Sequence, residues 1–240
     1  MEYGTLEGID SVSVVHPPID GPARLDGSRV AVILLGAPGC GKGTLAFALQ
    51  RSYGFEPFST GDALRAEISK GSQLGVQIKA LYDNGRLVSD EVVVAMVGEF
   101  LQNTDSGRVI FDGFPRTLSQ AEKLSGLLAD WCARVVCMDV DDDVVASRLL
   151  TRYSCKTCSK VYNEKTALPE NGGVCDVCGG VDFVRRVDDT DAAILTRLQV
   201  YHEKIAPVVD YYSTKGEIYH VDASQSTENV FAVVSDVVFK

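Results

Sequence analysis

The sequence lacks any apolar run near the roughly 18 residues that a membrane-spanning helix needs. It also lacks the apolar stretch of a secretory leader. Residues 1–28 scatter Glu2, Glu7, Asp10, Asp20 and Asp26 along the segment, with Arg24 and then Arg29 as the only counter-charges. The same acids rule out an arginine-rich, acid-poor transit peptide. The "HPPIDGP" run reads as an extended or turn-rich arm. We therefore expect an irregular N-terminal extension over residues 1–28, no membrane partner and a cytoplasmic location. Basic charge is scarce as well: 23 Lys and Arg stand against 33 Asp and Glu, a net charge of −10. That balance argues against long nucleic acid, which favours basic faces. It leaves a small phosphate ligand open, because a site is local. No internal repeat and no low-complexity tract is present.

What remains is 240 residues, 45% of them hydrophobic, enough for one large α/β domain with insertions. "RVAVILLG" from Arg29 is a continuous apolar run ending in glycine, the pattern of a strand buried on both faces. "GRVIFDG", "RVVCMDV" and "EIYHV" read as further short strands. Helical patterns lie between them: "TLAFALQRSYG" closed by Gly54, "STGDALRAEISKG", "SQLGVQIKALYDNG" capped by Ser72, "SDEVVVAMVGEFLQN", "TLSQAEKLSGLLADW" and "DDDVVASRLLTRY". Thr117 and Gln120 have the spacing of a capping box. "DDTDAAILTRLQVYHEKIAPVVDYYSTKG" predicts a long helix kinked near Pro207, and "TENVFAVVSDVV" a last one. Alternating strands and helices imply a parallel sheet covered on both faces, with ligands bound beyond the carboxyl ends of its strands.

"GAPGCGKGT" (36–44) sits at such an end. It nearly fits G-x-x-x-x-G-K-[ST], in which glycines let backbone N–H groups curl around phosphates and the lysine reaches across them. The hydroxyl that should follow Lys42 is missing: Gly43 stands there and Thr44 comes one residue late. An ordinary glycine-rich turn would share the composition, but the placement between a buried strand and a helix favours a phosphate loop. Cys40 reads as a small residue tolerated inside the loop.

Seven cysteines are present, and four form two C-x-x-C knuckles: Cys155 with Cys158, and Cys175 with Cys178. Each knuckle supplies two thiolates, and the spacing suits a zinc ribbon. Two disulfides are the alternative, disfavoured in a reducing compartment. With four cysteine ligands no position is left for a reacting water, so the metal would be structural. The segment is too small for a core of its own, and zinc would hold it as a rigid flap. Its lysines are matched by acids, and only Tyr162 and Phe183 offer aromatic faces, so nucleic acid is not expected.

These motifs together resemble an adenylate kinase of the long, zinc-containing type, over residues 29–240. The resemblance rests on "GAPGCGKGT", "STGDALR" (59–65), "GRLVSDE" (85–91), "DGFPRT" (112–117) with Gln120, the knuckles, and "RRVDDTDAAILTRL" (185–198). It implies a P-loop-type parallel sheet with helices on both faces, a helical insertion that receives the nucleoside monophosphate, and a zinc-ribbon lid. The implied division is a core of 29–58, 89–151 and 187–240, an insertion of 59–88, and a lid of 152–186. The implied reaction is magnesium-dependent and reversible, ATP plus AMP giving two ADP. A GTP:AMP phosphotransferase, another nucleoside monophosphate kinase and a catalytically silent nucleotide sensor remain open. The resemblance places Lys42, Arg116, Arg152, Arg186, Arg197 and Asp112 in catalysis. It gives Gly39, Cys40, Gly41, Lys42, Gly43, Thr44, Arg148, Arg152 and Gln225 to ATP, with Arg148 stacked on the adenine. Thr60, Arg65, Val88, Gly113, Arg116, Gln120, Arg186 and Arg197 go to AMP. Asp112, with Asp62 through water, would meet the phosphates by way of magnesium. Arg86 and Arg185 receive no assigned role, although Arg185 could replace a basic residue that many long lids carry where Tyr153 stands here. Asp188 and Asp189 could cap the following helix or orient lid arginines. A monomer is expected.

Overall fold

The computed structural model describes residues 29–84 and 86–239; the extension read at 1–28 and Gly85 of "GRLVSDE" lie outside them. The main strands are β1 (Arg29–Gly36), β2 (Glu56–Ser59), β3 (Arg108–Asp112) and β4 (Trp131–Asp139). Three short strands follow, β5 (Arg152–Cys155), β6 (Val161–Asn163) and β7 (Phe183–Val184), and then β8 (Ile218–Asp222). The first four and β8 form one sheet in the order β2-β3-β1-β4-β8, and every pair in it is parallel. β1 is central because its sequence allows nothing else: Val30 to Leu35 are each no more than 2% exposed. Burying each Val, Ile or Leu there contributes about 1.5–3 kcal/mol.

Helices cover both faces. α1 (Lys42–Tyr53) and α8 (Thr227–Val238) pack on the side of Val30, Val32, Leu34 and Met138. On the other side α2 (Thr60–Ser69), α3 (Gln73–Tyr82), α4 (Asp90–Asn103), α5 (Leu118–Leu127) and α7 (Asp191–Thr214) enclose Ile33, Leu35, Phe111 and Val135. α6 (Asp142–Leu150) closes a third small core of Val145, Leu149, Ile194 and Leu198 beside the loop that follows β1. The caps follow the sequence. Ser59, Ser72, Thr190 and Ser226 each accept a backbone N–H of the helix they precede. Gly54 ends α1 in the left-handed conformation with its N–H on the Gln50 carbonyl.

Several expectations need correction. β2 was not foreseen. It is a four-residue strand containing Pro57, tolerable because among the described residues β2 is an edge strand that pairs with β3 alone. β4 begins at Trp131, three residues before the expected start, and α6 stops at Leu150 so that Arg152 and Tyr153 belong to β5. As expected, Pro207 lies inside a single long helix, the 24-residue α7. Pro207 and Glu203 are both exposed, so the carbonyl that loses its donor faces water.

Two register facts position the site. Leu34 of β1 lies beside Asp112 of β3, and Gly36 lies beside Met138 of β4. The loops after β1 and β3 thus leave the sheet side by side at its carboxyl edge, next to the switch in strand order. Gly36 makes this possible. It has φ 139, and a Cβ there would lie 2.7 Å from the Met138 carbonyl oxygen. Gly36→Ala is expected to lower stability by about 2–3 kcal/mol, read as a lower urea midpoint with an unchanged slope.

Candidate active site and metal centre

The loop of residues 36–44 reaches α1 through Gly41, which has φ 112 and caps the helix without a side chain. The first turn of α1 therefore presents free N–H groups and the positive end of the helix dipole to whatever lies in the loop. Lys42 folds into the same space and donates to the carbonyls of Gly36 and Ala37, each at 2.8 Å. Its ammonium is 3.5 Å from Cys40 Sγ. The Cys40 thiol is buried among Leu45, Ala46 and Met138, as a small apolar residue would be. Gly39 has φ 87 and faces Leu149 across 2.7 Å from where a Cβ would stand.

A Cβ on Gly43 would lie 3.3 Å from Asp112 Oδ2, so a Ser or Thr there would crowd the carboxylate by a few tenths of an ångström. Thr44 follows, half-buried in the first turn of α1.

One cleft of about 550 Å³ is lined by Gly36, Lys42, Gly113, Arg116 and Arg197, together with Tyr201 and Lys204 of α7. A second pocket, about 390 Å³, adjoins it through Gly113, Arg116 and Leu87. It is lined by Thr60, Tyr82, Arg86, Val88 and Gln120. Five residues expected at the AMP site thus line one concavity. Thr60 donates to the Gly113 carbonyl at 2.9 Å, and Arg116 Nε donates to the same oxygen at 2.7 Å. Gln120 is buried, and its amide orientation is fixed by its neighbours. Its Oε1 accepts from the Arg116 backbone N–H, and its Nε2 donates to Asp90, both at 2.7 Å. The capping box is therefore only half made. Thr117 caps α5, but Gln120 reaches back to Arg116 instead of Thr117. One Gln120 N–H remains for a ligand.

The cations are tied into one network. Arg152 grips Asp189 with two parallel hydrogen bonds of 2.5 and 2.8 Å, and both side chains are nearly buried. Arg197 meets the same Asp189 at 3.2 Å and Asp188 at 2.9 Å. The N-cap of α7 is Thr190, so the two aspartates orient arginines and do not cap the helix. Asp188 Oδ1 is buried without a partner among the described residues, near enough to Arg116 to favour its charge. Burial, then Arg197, pushes the Arg116 guanidinium below its ordinary value. Burial, then Arg152 and Arg65, pushes Arg186 down to about 10. Arg65 itself is turned onto Asp62 and Tyr82. Burial opposes the ionisation of Asp62, but Arg65 outweighs it and holds the carboxyl below its usual range. Both guanidinium groups are held down first by burial and then by neighbouring cations, and a bound anion would relieve the second cause.

On the far side of the loop, Arg148 donates to the carbonyls of Ala223 at 3.0 Å and Cys40 at 3.4 Å. Its edge is anchored in this way, leaving the planar face as a platform. Gln225 is exposed beyond Ala223 and donates to Asp222.

β5, β6 and β7 form a separate antiparallel sheet in the order β6-β5-β7. Beside it the two knuckles repeat one another. The Ser159 N–H returns to the Cys155 carbonyl as the Gly179 N–H returns to that of Cys175, each at 2.9 Å. Ser159 even adopts a left-handed φ of 61, against 71 at Gly179. The four sulfurs lie within 4.8 Å of one another, and the closest pairs are 3.5 and 3.6 Å apart. Tetrahedral zinc, with Zn–S about 2.3 Å, needs sulfurs about 3.8 Å apart. None of the four is in a disulfide. Burial opposes ionisation of Cys175, yet the Tyr162 hydroxyl and the N–H groups of Cys178 and Val177 pull it down to about 6. The donor set therefore fits a structural thiolate metal site. Contrary to expectation, the segment also has a small core. Tyr153, Tyr162 and Phe183 form a triangle with ring centroids 5.5 to 5.7 Å apart. Those faces are spent on one another. Arg185 does not enter the cation network; it binds the Leu150 carbonyl at 2.6 Å and pairs with Glu164.

The sequence pattern of a family described as adenylate kinase matches residues 34–217. The chain belongs to the adenylate kinase family. A protein named adenylate kinase from Paramagnetospirillum magneticum is 42% identical over 203 residues, covering 83% of this chain and 94% of the relative. One of the same name from Paracoccus denitrificans is 41% identical over 214 residues, 88% of this chain and 98% of the relative. One from Kosmotoga olearia is 41% identical over 213 residues, 87% and 97%. Membership makes the chain a nucleoside monophosphate kinase, a phosphotransferase on an α/β fold. Among the described residues no helix is long and apolar enough to cross a membrane.

Four polar pocket residues escaped the sequence reading. Tyr82 and Arg86 line the second pocket, and Tyr201 and Lys204 line the first. A single arginine after a helix, or a Tyr and Lys on an amphipathic helix, carries no signal without the fold.

The aspartate bridge yields a test. Asp189→Asn should leave Arg152 and Arg197 without their shared anchor and lower kcat about tenfold or more, some 1.4 kcal/mol of barrier. KM for the monophosphate should change far less, because Asp189 does not line the second pocket. Steady-state kinetics separates the two effects.

Proposed function

We propose that this adenylate kinase family member moves the γ-phosphoryl group of ATP onto the phosphate of AMP, reversibly, giving two ADP. The observation that carries the reading is one continuous concavity. Its first part holds Lys42 and Arg197, its second holds Thr60, Val88 and Gln120, and Arg116 belongs to both. Two nucleotides could meet there with their phosphates on the same cations. An AMP phosphate oxygen would attack the γ-phosphorus, and the bond to the β–γ bridging oxygen would break, leaving that oxygen on ADP. The acceptor is already an anion, so the reaction asks for alignment and neutralisation more than for a base.

The roles follow. Lys42 and the loop N–H groups would hold the donor phosphates, and Arg148 would offer its face to the adenine. Arg65 and Arg116 would hold the AMP phosphate, while Thr60, Gln120 and the backbone of Val88 and Gly113 would face its base. Arg152, Arg186 and Arg197 would gather about the transferred group. Asp112, beside Gly43, would hold magnesium through water. Bound magnesium would neutralise the donor phosphates. Residues 59–88 would form the monophosphate-binding insertion and 152–186 a lid fixed by one structural zinc on Cys155, Cys158, Cys175 and Cys178, both moving against the core. We further read the protein as a cytoplasmic monomer that does not bind nucleic acid. The choice of ATP over GTP rests on the relatives' name.

A coupled assay of diphosphate formation tests the reading with AMP, CMP and UMP as acceptors and ATP and GTP as donors. Turnover is expected with ATP and AMP, and Lys42→Ala or Arg116→Ala should lower kcat at least 100-fold, about 2.7 kcal/mol. Turnover with CMP or UMP but not AMP would refute the acceptor assignment.

A further inference from the structure

The carboxyl end of β4 carries a cluster that phosphoryl transfer does not use. Cys137 and Asp139 are two residues apart on one strand and so share a face of the sheet. His220 of β8 is the register partner of Cys137. Three metal-ligating side chains are thereby brought together by strand pairing alone. Cys137 Sγ is 3.4 Å from Asp139 Oδ1, and His220 Nδ1 is 2.8 Å from Asp139 Oδ2. One ligand atom from each lies within 4.8 Å of the others.

A His–Asp contact this exposed contributes little as an ion pair. The sulfur on the second carboxylate oxygen is what changes the chemistry. Thiol, imidazole and carboxylate together make a borderline donor set, which suits zinc and its neighbours and not magnesium or calcium, which take oxygens. Tetrahedral zinc with such ligands needs donor atoms about 3.3–3.8 Å apart. Cys137 Sγ and Asp139 Oδ1 already have that spacing, while His220 Nδ1 must draw back from its 2.8 Å hydrogen bond to Asp139. Asp139 and His220 are half exposed, so an ion can enter and keep a water as its fourth ligand.

We propose that Cys137, Asp139 and His220 form a second metal site on this chain, for a zinc-class divalent cation, separate from the four-cysteine centre. An ion there would clamp β4 to β8 just before Ala223, whose carbonyl anchors Arg148. It would therefore stiffen the donor side of the cleft from outside it. With three protein ligands against four, and one thiolate in place of four, the site is weaker than the four-cysteine one.

The test is zinc binding to the full chain without nucleotide, by equilibrium dialysis and elemental analysis. Wild type is compared with Cys137→Val, His220→Ala and Cys158→Ser, and thermal melts are run on the same samples. Two classes of zinc are expected. The weaker equivalent should bind at least tenfold more weakly, beyond detection at the concentrations that fill it in wild type, in Cys137→Val and in His220→Ala, and be unchanged in Cys158→Ser. Its binding should raise the melting temperature of wild type but not of His220→Ala. Cobalt in its place should give a sulfur-to-metal charge-transfer band that Cys137→Val abolishes. His220 is exposed, so that variant decides the matter should Cys137→Val fail to fold. A weaker equivalent that persists in His220→Ala, or that wild type does not show, overturns the proposal.

Discussion

Like charges repel, and this molecule draws six cations toward one place. Lys42, Arg116 and Arg197 line one cleft, while Arg65, Arg152 and Arg186 are coupled to one another and, through Asp189, to Arg197. Each such repulsion opposes folding. A fold that held them unaided would be poorly stable. The structure answers with Asp188 and Asp189, two nearly buried carboxylates just before α7 that grip Arg152 and Arg197. Arg116 and Arg186 nonetheless stay below their ordinary values, first through burial and then through the neighbouring cations. The part owed to the neighbours is what a pair of nucleotides would discharge. Much of the architecture can be read as the means of assembling that field: parallel strands that end together, a helix that points its positive end inward, and a long helix that brings Arg197 across.

The same economy explains the loop. Any side chain after the lysine would start 3.3 Å from Asp112 Oδ2. With Gly43 there, the carboxylate at the end of β3 faces the loop across the strand register of β1 and β3 without crowding.

How much of this the sequence disclosed depended on the kind of signal. β1, the loop and the four cysteines were legible because each rests on a local constraint: continuous burial, glycine at positive φ, or thiols at fixed spacing. β2 was not, because four residues with a proline have no periodicity, and only pairing with β3 makes them a strand. Asp188 and Asp189 read equally well as caps. Thr190, one residue later, takes that role and frees them for the arginines. Gln120 looked like half of a capping box, but its carbonyl serves the Arg116 backbone instead. Tyr82, Arg86, Tyr201 and Lys204 had no local pattern to betray them. The lid's aromatic triangle was hidden because Tyr153, Tyr162 and Phe183 are separated in sequence and meet only when β5, β6 and β7 pair.

The central claim is that one field of cations receives two phosphate chains at once. The direct measurement is calorimetric binding of two adenosines joined by five phosphates, beside ATP alone under the same conditions. A molecule that spans both pockets should bind at least 100-fold more tightly than ATP, as ligands resembling the transferring state do. It should lose most of that advantage in Arg116→Ala. Binding no tighter than that of ATP would contradict the account.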